Sequence, residues 1–190
     1  MRKVKIMKIF SFSAQGEDSE EDVYRGQLQL SLRFSPTDTK KGKTRGTLHV
    51  LVKQGKELVR PGSSAKPDPV VKIYLLPDKS SSGKRKVGVI KNNSNPVWEE
   101  EVSFEKVVLE EAAKERVLEI TVWDWDKKGS SFIGGLRIGP SPVGSAHHKP
   151  WLDSIGEEAT HWENMLAHPG EWLEQWHTLR TSMDPRNLAY

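Results

Sequence analysis

Eight short runs with the two-residue period of a strand, separated by turn-forming Gly, Pro, Ser and Asn clusters, predict an all-β fold. A single helix-period segment near the end adds one late helix before the last strand. Strands that recur at near-regular spacing, without helices alternating between them, exclude a doubly wound parallel sheet and leave an antiparallel sandwich or barrel.

The first run is QLQLSLRF, residues 27–34, with Leu28, Leu30 and Leu32 on one face and Gln27, Gln29, Ser31 and Arg33 on the other. SPTDTKKGKTRG reads as a loop, and TLHVLVKQ alternates again. VVKIYLL follows a proline-rich approach, and there Val71, Ile73 and Leu75 are expected inward, with Val70, Lys72 and Tyr74 outward. In KRKVGVIK, Val87 and Val89 share the inner face with Arg85 and Lys91, leaving Lys84, Lys86 and Gly88 opposite. EEVSFEKV follows NNSNP, VLEITVWDW follows a charged segment, and FIGGLRIG comes next. In DSIGEEATHWENMLAHPG, Ser154 and Glu157 form an S-x-x-E capping pattern, Ile155, Ala159, Trp162, Met165 and Leu166 recur at helical spacing, and Pro169–Gly170 stop the run. EQWHTLR is the final strand.

A chain of 190 residues is one domain with room for a core. Residues 1–24 contain the acidic, apolar-poor GEDSEED and read as a flexible extension; 25–183 are the folded domain and 184–190 a tail. No apolar run reaches the ~18 residues of a membrane span, and the basic start lacks the apolar core of a secretory signal. With no cysteine there is no disulfide framework or thiolate chemistry, which suits a cytoplasmic protein. A net charge of +3 does not argue for nucleic acid, but Lys and Arg concentrate between Lys40 and Lys91 while 157–174 leans acidic, so one face is drawn to anions. Nucleophile elbow, P-loop and dinucleotide fingerprints are absent, and the histidines, among them His147, His148 and His161, offer no convincing zinc spacing. The chain does not read as an enzyme.

Three ordered motifs carry a family resemblance: KPDPVVKIYLLPD, NPVWEEEVSF and LEITVWDWDKKGSSFIGG. Together they resemble the C2 domain over roughly Gly26 to Met183. The tail WLDSIGEEATHWENMLAHPGEW followed by WHTLR is similar to the second C2 domain of synaptotagmin-like proteins, within the synaptotagmin and rabphilin superfamily. The fold so implied is an eight-stranded antiparallel β-sandwich of synaptotagmin-type topology. Full-length proteins of that kind carry further regions, so the chain reads as a fragment or short isoform.

Two aspartates one residue apart at a strand tip, Asp124 and Asp126, look like half of a metal site. The resemblance implies a calcium cage of about five acidic side chains from two loops, because a hard cation seeks six to eight oxygens. Asp68 matches one further ligand. Gly62 stands where the first is due, and Ser130–Ser131 where the last is due. An incomplete site of Asp68, Asp124 and Asp126 is expected to hold calcium weakly, and no cofactor is required.

The lysines carry the alternative. If the VVKIYLL and KRKV strands are neighbours, as the resemblance implies, Lys72, Lys84 and Lys86 gather on one concave surface suited to a phosphorylated inositol headgroup. Asn95 and Trp123 match two further headgroup positions of the family, while Val70 and Gly88 replace its usual Tyr and Lys. The loop residues Arg60, Lys66, Lys127 and Lys128 are expected to be drawn to an anionic leaflet. The partners so implied are acidic phospholipids, phosphatidylinositol 4,5-bisphosphate and phosphatidylserine, with SNARE or other trafficking proteins as a further class. The expected role is peripheral attachment on the inner face of the plasma membrane or on vesicles, largely independent of calcium, in vesicle trafficking or exocytosis. A calcium-triggered exocytosis sensor and a domain binding acidic protein partners are the competing readings.

Overall fold

The computed structural model describes residues 23–81, 83–142 and 149–186; the expected extension up to residue 22, His147, His148 and the last four residues lie outside them. Two four-stranded antiparallel sheets pack face to face. One runs β5-β2-β1-β8 and the other β4-β3-β6-β7, formed by β1 (Gln27–Lys40), β2 (Lys43–Lys56), β3 (Pro69–Leu76), β4 (Lys84–Val87), β5 (Val97–Val108), β6 (Val117–Asp124), β7 (Ser131–Ile138) and β8 (Leu173–Thr178). Helices α1 (Leu109–Glu115) and α2 (Glu157–Ala167) complete the domain. The expected sandwich with a late helix is what the chain builds.

Alternation explains the core. Leu28, Leu30, Leu32 and Phe34 of β1 meet Leu48, Val50 and Val52 of β2 on the inner side of one sheet. Val71 and Ile73 of β3, with Leu118, Ile120 and Val122 of β6, oppose them from the other, and all nine of the β1, β2 and β6 leucines, valines and isoleucines named here are at most 1% exposed. Each such side chain contributes about 1.5–3 kcal/mol by leaving water.

Local chemistry moved several boundaries. The stretch read as a loop, SPTDTKKGKTRG, instead continues β1 and β2 as a long hairpin that turns at Lys41–Gly42, where φ is +51° and +72°. Two consecutive left-handed residues give the twist that a two-residue hairpin needs, and glycine takes the second without strain. β4 stops at Val87, so Val89 is half-buried and not a core residue. The Gly88 amide turns to Glu100 Oε2 at 3.1 Å and its carbonyl accepts from Trp98 Nε1 at 2.8 Å, which ends the ladder. The charged segment after β5 forms α1, unforeseen because its seven residues bury only Ala112 and show no apolar stripe. Ser154 caps no helix: its hydroxyl donates to the Arg137 carbonyl at 2.9 Å, and α2 begins after Gly156 at φ +54°. Ile155, left outside the helix, is exposed.

Two histidines seal α2 to β8. His161 Nε2 lies 2.9 Å from the Leu173 carbonyl oxygen, and His161 Nδ1 is 2.8 Å from His177 Nε2, with the rings stacked. A consistent proton pattern has His161 Nε2–H donating to Leu173 and His177 Nε2–H donating to His161 Nδ1. Burial disfavours the imidazolium of both, and for His177 the pKa falls to about 3, helped by His161. The unfolded chain therefore binds protons that the folded one refuses. Stability is full above the ordinary His pKa of about 6.5 and declines as pH falls toward 3, by about 2 kcal/mol at pH 5 from His177 alone. Denaturant titrations at pH 7 and pH 5 check this; equal stability at both would remove the neutral pair from the account.

Candidate functional site: a lysine cleft and a closed loop cluster

Register, not proximity in sequence, assembles the lysines. β3 and β4 pair so that Lys72 faces Lys86 and Tyr74 faces Lys84, while β6 places Thr121 opposite Lys72 on its other side. Because these positions alternate with Val71, Ile73 and Val87, all three lysines project from the outer face. Lys72 Nζ stands 4.0 Å from the centroid of Trp123, a cation–π contact. The indole N–H donates to Thr121 Oγ1 at 2.9 Å, and Phe132 meets the ring edge-on at 5.4 Å, so the aromatic platform is fixed from two sides.

These side chains line a cleft of about 420 Å³ floored by Lys72, Lys84, Thr121 and Trp123. Lys86 flanks Lys72 and is exposed. The Lys72 pKa is lowered by partial burial first and then by repulsion from Lys84 and Lys86. An anion brought between the three amines relieves that repulsion.

The opposite wall was not visible in the motifs. Residues 181–183, after β8, lie across β7 and line the cleft through Thr181, Ser182 and Met183. Gly135 allows the approach: its N–H donates to the Arg180 carbonyl at 3.1 Å and the Arg180 N–H returns to Gly135 at 2.7 Å. A Cβ at Gly134 would sit 2.9 Å from the Arg180 carbonyl oxygen, so the paired glycines of FIGGLRIG make room for this strap. Buried charges lock it. Arg137 donates to Glu119 Oε2 through Nε and Nη2 at 3.0 and 2.8 Å, to Asp153 at 2.9 Å and to the Met183 carbonyl at 2.8 Å. Arg180 bridges Asp153 and Glu158, and Arg186 also pairs with Glu158. The Arg186 contact extends this network beyond the strap.

Asn95 does not join the lysines. Its Oδ1 accepts the Glu57 backbone N–H at 2.9 Å, tying two loops, and it is not among the residues lining the cleft. Lys66, Lys127 and Lys128 are exposed in the β2–β3 and β6–β7 loops. Arg60, grouped with them by sequence, is turned toward the domain: its Nε donates to Asp124 Oδ2 at 2.9 Å.

That contact decides how the three aspartates sit. Asp124 is 4% exposed, and its second oxygen, Oδ1, accepts the Asp68 backbone N–H at 2.7 Å. Asp68 Oδ1 accepts from the Asn92 N–H, and Asp126 Oδ1 from the Lys128 N–H, each at 2.7 Å. Both oxygens of Asp124 are thus engaged, one by an amide and one by a guanidinium, and one oxygen each of Asp68 and Asp126 is held by a loop amide. Among the described residues no three His, Asp or Glu side chains converge into a metal-holding group. The residues present do not fit a calcium ion as they stand.

Relatives share this architecture. The sequence pattern of the C2 domain matches residues 46–165. Synaptotagmin-1 of Homo sapiens is 34% identical over 167 residues, a match that covers 87% of this chain and 35% of the relative; the chain spans about a third of that protein's length. The solution structure of the third C2 domain of KIAA1228 protein superposes with a TM-score of 0.57 at 26% identity, covering 91% of this chain and 98% of that one. A crystal structure of a C2 domain from RIM2 gives 0.53 at 27% identity, over 83% and 98%. With a match across more than half of its residues and the two-sheet sandwich of these relatives, the chain belongs to the C2 domain family.

Proposed function

We propose that this domain is a non-enzymatic module that attaches to anionic membranes through the Lys72–Lys84 cleft and the flanking Lys86, with phosphoinositide headgroups, phosphatidylinositol 4,5-bisphosphate above all, as its ligands, and largely without calcium. The observation that carries the reading is the register that sets Lys72 against Lys86 with Lys84 on the same face, beside an immobilised Trp123. The Lys72 ammonium held over Trp123, with those of Lys84 and Lys86 beside it, supplies charge-assisted hydrogen bonds to phosphate oxygens. Lys66, Lys127 and Lys128 add attraction to phosphatidylserine, about 1 kcal/mol per charge near the leaflet. The cleft and these loops together suit peripheral attachment, at the inner face of the plasma membrane or on vesicles, in trafficking or exocytosis. Among the described residues no helix is long and apolar enough to cross a membrane. The WHTLR ending and the preceding α2 support a place as the C-terminal C2 domain of a synaptotagmin-like protein.

Co-sedimentation with liposomes of neutral lipid, of added phosphatidylserine, and of added phosphatidylinositol 4,5-bisphosphate tests this at fixed low salt, since screening weakens exposed charge contacts. The phosphoinositide liposomes are expected to retain the protein equally in chelator and in calcium. Binding that appears only with calcium supports the sensor reading instead. Binding to a SNARE peptide with none to any liposome transfers the lysines to a protein partner.

A further inference from the structure

We infer that Arg60 is a built-in counter-ion that takes the place of a divalent cation between the β2–β3 and β6–β7 loops, so that one residue keeps a latent metal site closed. Asp124 ends β6 almost wholly removed from water, and a carboxylate there requires a compensating charge. Its Oδ1 accepts the neutral Asp68 amide, and its Oδ2 the Arg60 guanidinium. A guanidinium cannot deprotonate in the physiological range and is weakly hydrated, so it serves as a lasting partner for a buried acid. It also reaches across: Arg60 belongs to one loop and Asp124 to the base of the other, which is the bridging role a metal would perform there.

The loop around Arg60 is shaped for this. Pro61 and Gly62 follow it, Gly62 at φ +69°, and the Ser63 N–H returns to the Arg60 carbonyl at 3.3 Å. That tight turn points the side chain back to the domain. The Arg60 side chain remains 39% exposed against 5% for Asp124, so its removal would open Asp124 toward solvent from that side. Asp68 and Asp126 stand on the same two loops, each with one oxygen held by a backbone amide. A divalent ion entering in place of the guanidinium would meet Asp124 Oδ2 first, with Asp68 and Asp126 on the flanking loops but not converged on it, a set that suits weak binding only.

This inference rests on the calcium-independent part of the proposed function. Its test contains no lipid, so its failure is separate from any failure of headgroup binding. Thermal unfolding of the full chain is measured for wild type, Arg60→Lys and Arg60→Gln, in chelator and in millimolar calcium. Wild type and Arg60→Lys are expected to melt at the same temperature in both. Arg60→Gln is expected to melt lower in chelator and to regain about 3–5 °C in calcium, the shift given by an ion that binds only the folded state. No calcium response in Arg60→Gln, or an equal response in wild type, overturns the inference. Should Arg60→Gln fail to fold, Arg60→Gln/Asp124→Asn decides the pairing. Lacking both charges, it is expected to fold and to ignore calcium; if it fails to fold as well, Arg60 acts through something other than the Asp124 charge, and the inference is lost.

Discussion

Phosphoinositide liposomes are expected to lose the domain, by about a hundredfold in affinity, when Lys72, Lys84 and Lys86 are all changed to glutamine. Each cation near an anionic surface contributes about 1 kcal/mol, and three of them amount to about two decades in the binding constant. The loss has to be one of contact and not of folding, and the cleft's own electrostatics provide the control. Partial burial, then Lys84 and Lys86, depress the Lys72 pKa, so its charged form is less favourable in the folded chain than in the unfolded one. That penalty applies at neutral pH and disappears only above the unfolded lysine pKa of about 10.4. Lys84→Gln/Lys86→Gln, which keeps Lys72 on Trp123, is therefore expected to melt no lower than wild type while binding more weakly. Undiminished liposome binding by the triple variant would move the membrane contact to the loops around Lys66, Lys127 and Lys128.

Arg137→Met is expected to be the most damaging single substitution for stability, costing about 3–5 kcal/mol. Its guanidinium is buried between Glu119 and Asp153, both themselves buried, and it also holds the Met183 carbonyl. Methionine fills a similar volume but leaves Glu119 with the exposed Lys79 and Asp153 with Arg180. In a domain of this size the loss corresponds to about 10 °C or more in melting temperature. Arg137→Met/Glu119→Met, which removes the orphaned carboxylate together with its partner, is expected to recover part of it, since apolar replacement of a whole buried pair is often neutral. Denaturant midpoints for both variants check this, and an unchanged midpoint in Arg137→Met would show that the network adds nothing. The strap joins this prediction to function. Freed from Arg137, residues 181–183 no longer define the far wall of the cleft, so headgroup binding is expected to weaken even where the single variant still folds.

The contrast between these two sites shows how far the sequence reaches. Strands with a two-residue period announced themselves, because a half-buried sheet needs an apolar residue at every second position; Leu28, Leu30 and Leu32 could be assigned to the core directly. The same period put Lys72, Lys84 and Lys86 on outer faces. Boundaries were less legible. The hairpin beyond Ser35 has no apolar alternation and is held by ladder bonds and the Lys41–Gly42 turn. Helix α1 buries a single alanine, and the capping pattern at Ser154 yielded to a tertiary bond with Arg137.

Composition and spacing by themselves determined an antiparallel all-β fold with a late helix and a set of outward lysines, because these follow from periodicity. Only the tertiary structure decided which groups the charges meet. It set Lys72 against Lys86, brought residues 181–183 to the cleft beside them, paired Arg60 with Asp124, and tied Asn95 to the Glu57 amide. The physical reason is that a charge acts over a few ångströms, and which opposite charge lies within that reach depends on register and loop direction, which link residues far apart in the chain, 64 positions in the case of Arg60 and Asp124.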